Sequence, residues 1–184
     1  MTDPVRILGV CGSLRAGSYN LMALKAAMEL APEGVEMRLA PSIGDIPLFN
    51  EDVEREGMPA PVKSFREALG WAEAVLFVSP EYNHSIPGVL KNAIDWASRG
   101  ADQPFADKAA AVMGASPGGM GSSRMQLHLR HVGVMLDLHF VNKPEVMIGS
   151  APSKFADGRL TDEPTRVFVG KLVTALRDLA VRLR

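Results

Sequence analysis

Three short, almost wholly apolar runs, Val5 to Cys11, Ala74 to Ser79 and Lys108 to Ala115, each break into a polar loop and are each followed by a stretch of helical periodicity. A run of that length with no polar alternation has no wet face, so as a strand it has to be covered on both sides. The segments between follow suit. Leu21, Leu24, Met28 and Ala31 recur at helical spacing before Pro32-Glu33-Gly34 ends the pattern, and Val35 to Ala40 alternates Val, Met and Leu inward with Glu and Arg outward, as an outer strand would. Val62, Phe65, Leu69 and Ala72 define a second helix. Ser85 is the expected N-cap of a third, with Pro87 in its first turn and Ile86, Val89, Leu90, Ala93, Ile94 and Ala97 on one face. Ser122 to Leu136 reads as a helix, and Asp137 to Val141 with Glu145 to Ile148 as a fifth strand that the Asn142-Lys143-Pro144 turn can split. Leu172, Leu176, Leu179, Ala180 and Leu183 mark the closing helix. Five strands alternating with five helices predict an α/β three-layer sandwich around a parallel sheet, since right-handed crossovers leave few other windings.

The chain has 184 residues, 47% of them hydrophobic, which suits a single domain over 1–184 and falls short of two. Its 20 basic and 21 acidic residues leave a net charge of −1 with no basic stripe, so no nucleic-acid and no membrane partner is expected. The lone cysteine, Cys11, sits in an apolar run and is read as a small buried hydrophobe in a reducing, cytoplasmic setting. Neither a signal peptide nor an apolar run of about 18 residues is evident. From Pro41 to Pro61 four prolines and two glycines predict a long loop, with one short helical turn near Glu51 to Arg55.

In an open parallel sheet, ligands bind beyond the carboxyl ends of the strands. The loop Gly12-Ser13-Leu14-Arg15-Ala16-Gly17-Ser18-Tyr19-Asn20 lies there, and its glycines, hydroxyls, arginine and following helix N-terminus suit a phosphate. It has no lysine of a P-loop, and Gly12 and Gly17 are spaced wrongly for a Rossmann dinucleotide fingerprint. The plain alternative is a capped turn; Arg15 favours a ligand.

The segment Gly-Ser-Leu-Arg-x-Gly-Ser-x-Asn after the first strand resembles the phosphate loop of the NADPH-dependent FMN reductase family. That family includes quinone, chromate and azo-dye reductases of the flavodoxin-like fold. Ser79-Pro80-Glu81-Tyr82-Asn83 and the following Lys91-Asn92-Ala93-Ile94-Asp95-Trp96 are similar to that family's isoalloxazine-facing turn and the helix after it. The resemblance runs from the first strand to about Glu145, and the tail from Gly149 carries no motif. It implies a five-stranded sheet of order 2-1-3-4-5 and non-covalent FMN. Ser13, Arg15, Ser18, Tyr19 and Asn20 would lie at the phosphate, and Pro80, Glu81, Tyr82 and Asn83 beside the ring. Ser116, Gly118 and Gly119 would belong to a third loop along the flavin.

The residues also carry plainer readings. Glu81 reads more simply as a solvated turn carboxylate than as a base, because flavin chemistry requires none. Lys91 and Asp95 suit a surface pair or an intersubunit contact, and Trp96 packing. The histidines at 84, 128, 131 and 139 do not group as metal ligands. The function implied by the resemblance is an NAD(P)H-dependent FMN reductase that passes hydride through flavin N5 by a ping-pong route. NADPH or NADH would be the co-substrate, and a quinone, chromate, an azo dye or free flavin the small-molecule electron acceptor. The alternative is a non-enzymatic flavodoxin-type electron carrier, which the near-neutral charge and Arg15 disfavour. A homodimer or homotetramer is expected, with the 41–60 loop and Arg124, Asn142, Lys143, Pro144 and Glu145 as contributors.

Overall fold

The computed structural model describes residues 3–184. Its central sheet is parallel throughout, in the order β2-β1-β3-β4-β5, built from β1 (Val5–Cys11), β2 (Val35–Leu39), β3 (Ala74–Val78), β4 (Ala109–Ala115) and β5 (His139–Phe140). A sixth strand, β6 (Val146–Ile148), continues the β5 edge: β4 pairs with β5 at Ala109 and Ala110, then with β6 at Met113 to Ala115. The Asn142-Lys143-Pro144 turn thus splits the last strand, as its proline led one to expect.

Burial on both faces is what the unalternating runs demand. Every residue of β3 and β4 is buried. Ile7, Leu76, Val78, Ala111 and Met113 face one core with α1 (Tyr19–Glu29) and α6 (Glu163–Leu183), whereas Leu8, Val10, Val75, Phe77 and Val112 face another. That second layer comprises α3 (Ala60–Trp71), α4 (Gly88–Ala97) and α5 (Ser123–Met135), with Phe65, Leu69, Leu90, Ile94, Trp96 and Leu129 pointing inward. Period-2 strands and period-3.6 helices therefore meet face to face.

Three elements differ from their sequence-based expectation. Ser85 is not the cap of α4: Pro87 occupies that position and the helix starts at Gly88. Leu39, expected inward, is 47% exposed, because β2 is the sheet edge and only Val35 and Met37 pack against the core shared by α1 and α6. The tail is also more than helix and loop, since β7 (Phe155–Ala156) and β8 (Arg159–Leu160) pair antiparallel as a small ribbon before α6. The expected turn in the long loop is α2 (Glu51–Glu56), capped by Asn50, whose side chain accepts from the Asp52 N–H at 2.9 Å. Among the described residues no helix is long and apolar enough to cross a membrane.

The 46–54 segment is fastened to α4 by polar groups. Asn92 accepts from the Phe49 N–H (2.8 Å) and donates to the Pro47 carbonyl (2.9 Å), to which the Trp96 indole also donates (2.8 Å). Phe49 meets Trp96 edge-on, with 5.0 Å between centroids, and Arg99 grips both carboxylate oxygens of Glu54 at 3.0 Å. Lys91 and Asp95 form the expected helix-surface pair at 2.7 Å.

Candidate functional site

The chain leaves β1 toward β2 on one side and later returns to β3 on the other, so the carboxyl ends of β1 and β3 flank the point where strand order reverses. Two glycines let the loops there close up. A Cβ on Gly12 would fall 2.2 Å from Ser79 Oγ, and one on Gly114 would fall 2.1 Å from the Ser79 carbonyl and 2.3 Å from Ser122 Oγ. Asn20 adds a cross-tie, because its buried amide donates to the Ala115 carbonyl (3.0 Å) and accepts from the Ala115 N–H (2.8 Å). The side chain matched to a phosphate ligand is thus spent mainly on β4, where it fixes the first loop to the third.

Within the first loop, the buried Ser18 caps α1, its Oγ accepting from the N–H groups of Asn20 (3.2 Å) and Leu21 (3.3 Å). The residue is 1% exposed and its hydroxyl also hydrogen-bonds the neighbouring Cys11 side chain, so it is spent on holding the loop. Ser13 Oγ accepts from the Arg15 N–H at 3.4 Å. Arg15 is exposed and makes no ion pair among the described residues; its guanidinium lies over the Tyr19 ring, 5.3 Å from the centroid. The N–H groups of Ala16, Gly17 and Tyr19 meet no protein acceptor among the described residues. An arginine without an ion pair among the described residues and open amides at a helix N-terminus make an anion site. Beside it Cys11, half buried, donates to the Ser13 carbonyl, and burial pushes its thiol pKa up, so it stays an un-ionised wall.

The second loop is rigid for a different reason. Tyr82 and Ser85 exchange backbone hydrogen bonds (3.1 and 3.0 Å) across a two-residue turn in which Asn83 (φ 48°) and His84 (φ 63°) are both left-handed. That is type I′ geometry, which asparagine tolerates well. It leaves Tyr82, Asn83 and His84 projecting into solvent. Glu81 does the reverse of what its sequence context suggested. Its side chain is only 10% exposed, and Oε2 accepts from the backbone N–H groups of Arg124 (2.9 Å) and Met125 (3.0 Å), capping α5, whose own Ser122 makes no side-chain cap. The partners are 43 and 44 positions apart, so no local pattern could reveal the pairing. Ser85 Oγ meets Nδ1 of the exposed His128 at 3.0 Å, a second tie between this loop and α5.

The third loop is backed by the strand and turn that follow. Ser116 Oγ donates to the Gly118 carbonyl (3.2 Å), the Ser116 N–H to Ile148, and the N–H groups of Ala151 and Ser150 return to Ser116 and Gly118. Gly149 packs so closely that a Cβ on it would lie 2.3 Å from the Gly119 carbonyl. Gly118, Gly119 and Met120 remain exposed.

All twelve residues singled out from the sequence therefore lie at one edge of the sheet, in three touching loops and the first turn of α1. Their side chains divide the work: Arg15, Tyr82 and Asn83 face outward, whereas Asn20 and Glu81 hold the loops in place. At the opposite edge the fold gathers Asp107, Asp137 and His139, whose potential ligand atoms lie within 4.8 Å of one another, a grouping that the histidine spacing did not suggest. His139 Nε2 and Asp107 already share a hydrogen bond there (3.1 Å).

The family model described as NADPH-dependent FMN reductase matches residues 5–153. An NAD(P)H-dependent FMN reductase of Pseudomonas aeruginosa is 52% identical over the whole of both chains, and a quinone reductase of Escherichia coli 40% identical over the whole of both. Among solved structures, the flavoenzyme NAD(P)H:(acceptor) oxidoreductase FerB of Paracoccus denitrificans is 35% identical and superimposes with a TM-score of 0.86 over 97% of this chain and 98% of its own. An archaeal flavodoxin, 11% identical at a TM-score of 0.59 over 97% of this chain and 99% of its own, shares the fold alone. Enzymes among these relatives displace the electron-carrier alternative. The chain belongs to the NADPH-dependent FMN reductase family, a flavodoxin-like oxidoreductase with FMN as cofactor and NAD(P)H as co-substrate.

Proposed function

We propose that the protein is a quinone reductase in which NAD(P)H and the acceptor take turns at one open face of the three-loop edge. The observation that carries the reading is the unpaired Arg15 above the amide-rich N-terminus of α1, set beside an exposed aromatic turn on the neighbouring strand end.

FMN fits this donor set. Its dianionic phosphate would take the Arg15 guanidinium, the Ser13 hydroxyl and the open amides of residues 16, 17 and 19, with Ser18 holding the loop that presents them. Backbone from Pro80 to Asn83, together with Ser116, Gly118 and Gly119, would border the ring. The chemistry that bound FMN supplies is two-electron transfer from NAD(P)H to an acceptor, in a ping-pong order. What the chain contributes is position. Glu81 and the His128–Ser85 contact hold the second loop still, and the type I′ turn presents Tyr82 as an apolar wall without a mobile lid. No general base is required, and Glu81 is occupied in capping.

Quinone is the favoured acceptor because quinone reductases and quinone oxidoreductases recur among the full-length relatives, including one of Solanum tuberosum at 48% identity over 98% of this chain and 95% of its own. Chromate, azo dyes and free flavin are the acceptors to measure against it. The single half-buried cysteine is in keeping with a reducing cytoplasm. A dimer or tetramer is supported by exposed Leu127, Val134 and Met135 on α5, which leave an apolar stripe uncovered in one chain. The reading is tested by steady-state kinetics with varied NADPH and quinone. Parallel double-reciprocal lines are expected, and intersecting lines would exclude alternation at one face.

A further inference from the structure

The ribbon formed by β7 and β8 lies beyond the residues matched by the family model, yet it reaches the anion site through a stack of three side chains. Phe155, buried on β7, meets Tyr19 with 5.1 Å between ring centroids and a 43° tilt, and Tyr19 in turn carries the Arg15 guanidinium at 5.3 Å. Arg15 makes no ion pair among the described residues, so the aromatic face is its one strong orienting contact there. An exposed arginine left to itself spreads over many rotamers, and fixing it costs entropy when an anion arrives.

The ribbon is itself firmly seated. Arg159 pairs with Glu29 on α1 (3.1 Å), Arg166 donates to the Leu160 carbonyl (3.2 Å), and Leu160 is buried against the α1 and α6 core. The turn leading into it donates through Ala151 and Ser150 to the third loop. Thus one element of the tail bears on both the first and third loops.

We infer that Phe155 is a positioning residue for phosphate recognition: it sets Tyr19, and Tyr19 pre-aims Arg15 at a phosphate monoester. The inference rests on the proposal that the first loop holds the FMN phosphate, and the test separates the two. Apoprotein variants are titrated with FMN and with riboflavin, which has the ring and no phosphate, by quenching of flavin fluorescence. Arg15→Ala is expected to weaken FMN by about 10- to 100-fold, the range of a charge-assisted hydrogen bond, and leave riboflavin within about twofold. Phe155→Leu, which keeps apolar volume but removes the ring, is expected to weaken FMN by about three- to fivefold and riboflavin not at all, the scale of one exposed cation–π contact. Phe155→Tyr restores the ring and with it FMN affinity, and Phe155→Leu has no further effect in the Arg15→Ala background.

If Arg15→Ala leaves the FMN-to-riboflavin ratio unchanged, the first-loop reading fails and the inference with it. If Arg15→Ala alters the ratio but Phe155→Leu weakens both flavins equally, or neither, Phe155 is merely structural and the inference alone is overturned.

Discussion

Single atoms decide much of this site. At Gly114 a methyl group would have to share space with a backbone carbonyl, which cannot swing away as a side chain can. Gly114→Ala is therefore expected to cost about 1–3 kcal/mol in urea unfolding and to weaken FMN binding by separating the second and third loops. A variant as stable as the parent would show that the close approach is not needed. Glu81 is a second such point. Glu81→Ala removes the only side-chain cap seen on α5, so a loss of about 1 kcal/mol is expected, with Glu81→Gln retaining part of it through its remaining acceptor oxygen. Because Glu81 is not placed as a base, Glu81→Gln is expected to leave the pH dependence of kcat unaltered; a lost ionisation in that profile would restore a proton-transfer role. The residue types at the site were legible in the sequence because phosphate chemistry has a composition. The roles of Asn20 and Glu81 were not, since each bonds a strand end or helix start dozens of positions away.

Elements were legible where one local signal dominated. β3 and β4 declare themselves by unbroken apolar runs, and α4 by its period, although not its start. Ser85 looks like a cap in isolation, but the Tyr82–Ser85 pairing claims its backbone and His128 its hydroxyl, leaving Pro87 to open the helix. The β7–β8 ribbon escaped because each strand has only two residues, too short for any alternation to show. The long 41–60 segment shows the same limit: its prolines announce a loop, but only the fold reveals that α4 clamps it. Asn92→Ala, which deletes the acceptor for Phe49 and the donor to Pro47, is expected to lower stability by about 1–3 kcal/mol and to speed proteolysis between residues 46 and 54. Unchanged cleavage there would mean that Trp96 and Phe49 hold the segment without it.

At the scale of the whole molecule, the first and last described residues meet at the edge opposite the site, where Arg184 donates to the carbonyls of Asp3 and Pro4 (3.3 Å each). Glu73 accepts from Arg184 (2.8 and 3.1 Å) and from the Arg6 N–H (3.1 Å), and these contacts hold its carboxyl pKa below the ordinary value despite partial burial. A depressed folded-state pKa means that the contribution to stability is full above the ordinary carboxylate range and disappears as pH falls through the folded value. Glu73→Gln is therefore expected to lower Tm at neutral pH and to converge with the parent in strong acid. A Tm gap independent of pH would contradict the ion-pair account.

The sheet order, the two-faced core and the clustering of three loops at one edge follow from the alternation of buried strands and amphipathic helices, and the solved relative shares the fold. The account as a whole stands on electrons passing through FMN held at that edge. The direct measurement is anaerobic: FMN-loaded protein is titrated with NADPH while the visible flavin absorbance is followed, and a quinone is then added. Complete bleaching at one equivalent of NADPH, followed by recovery of the oxidised spectrum with one equivalent of quinone, is the predicted result. A protein that binds no FMN, or whose bound FMN is not bleached by NADPH or not reoxidised by the quinone, would contradict it.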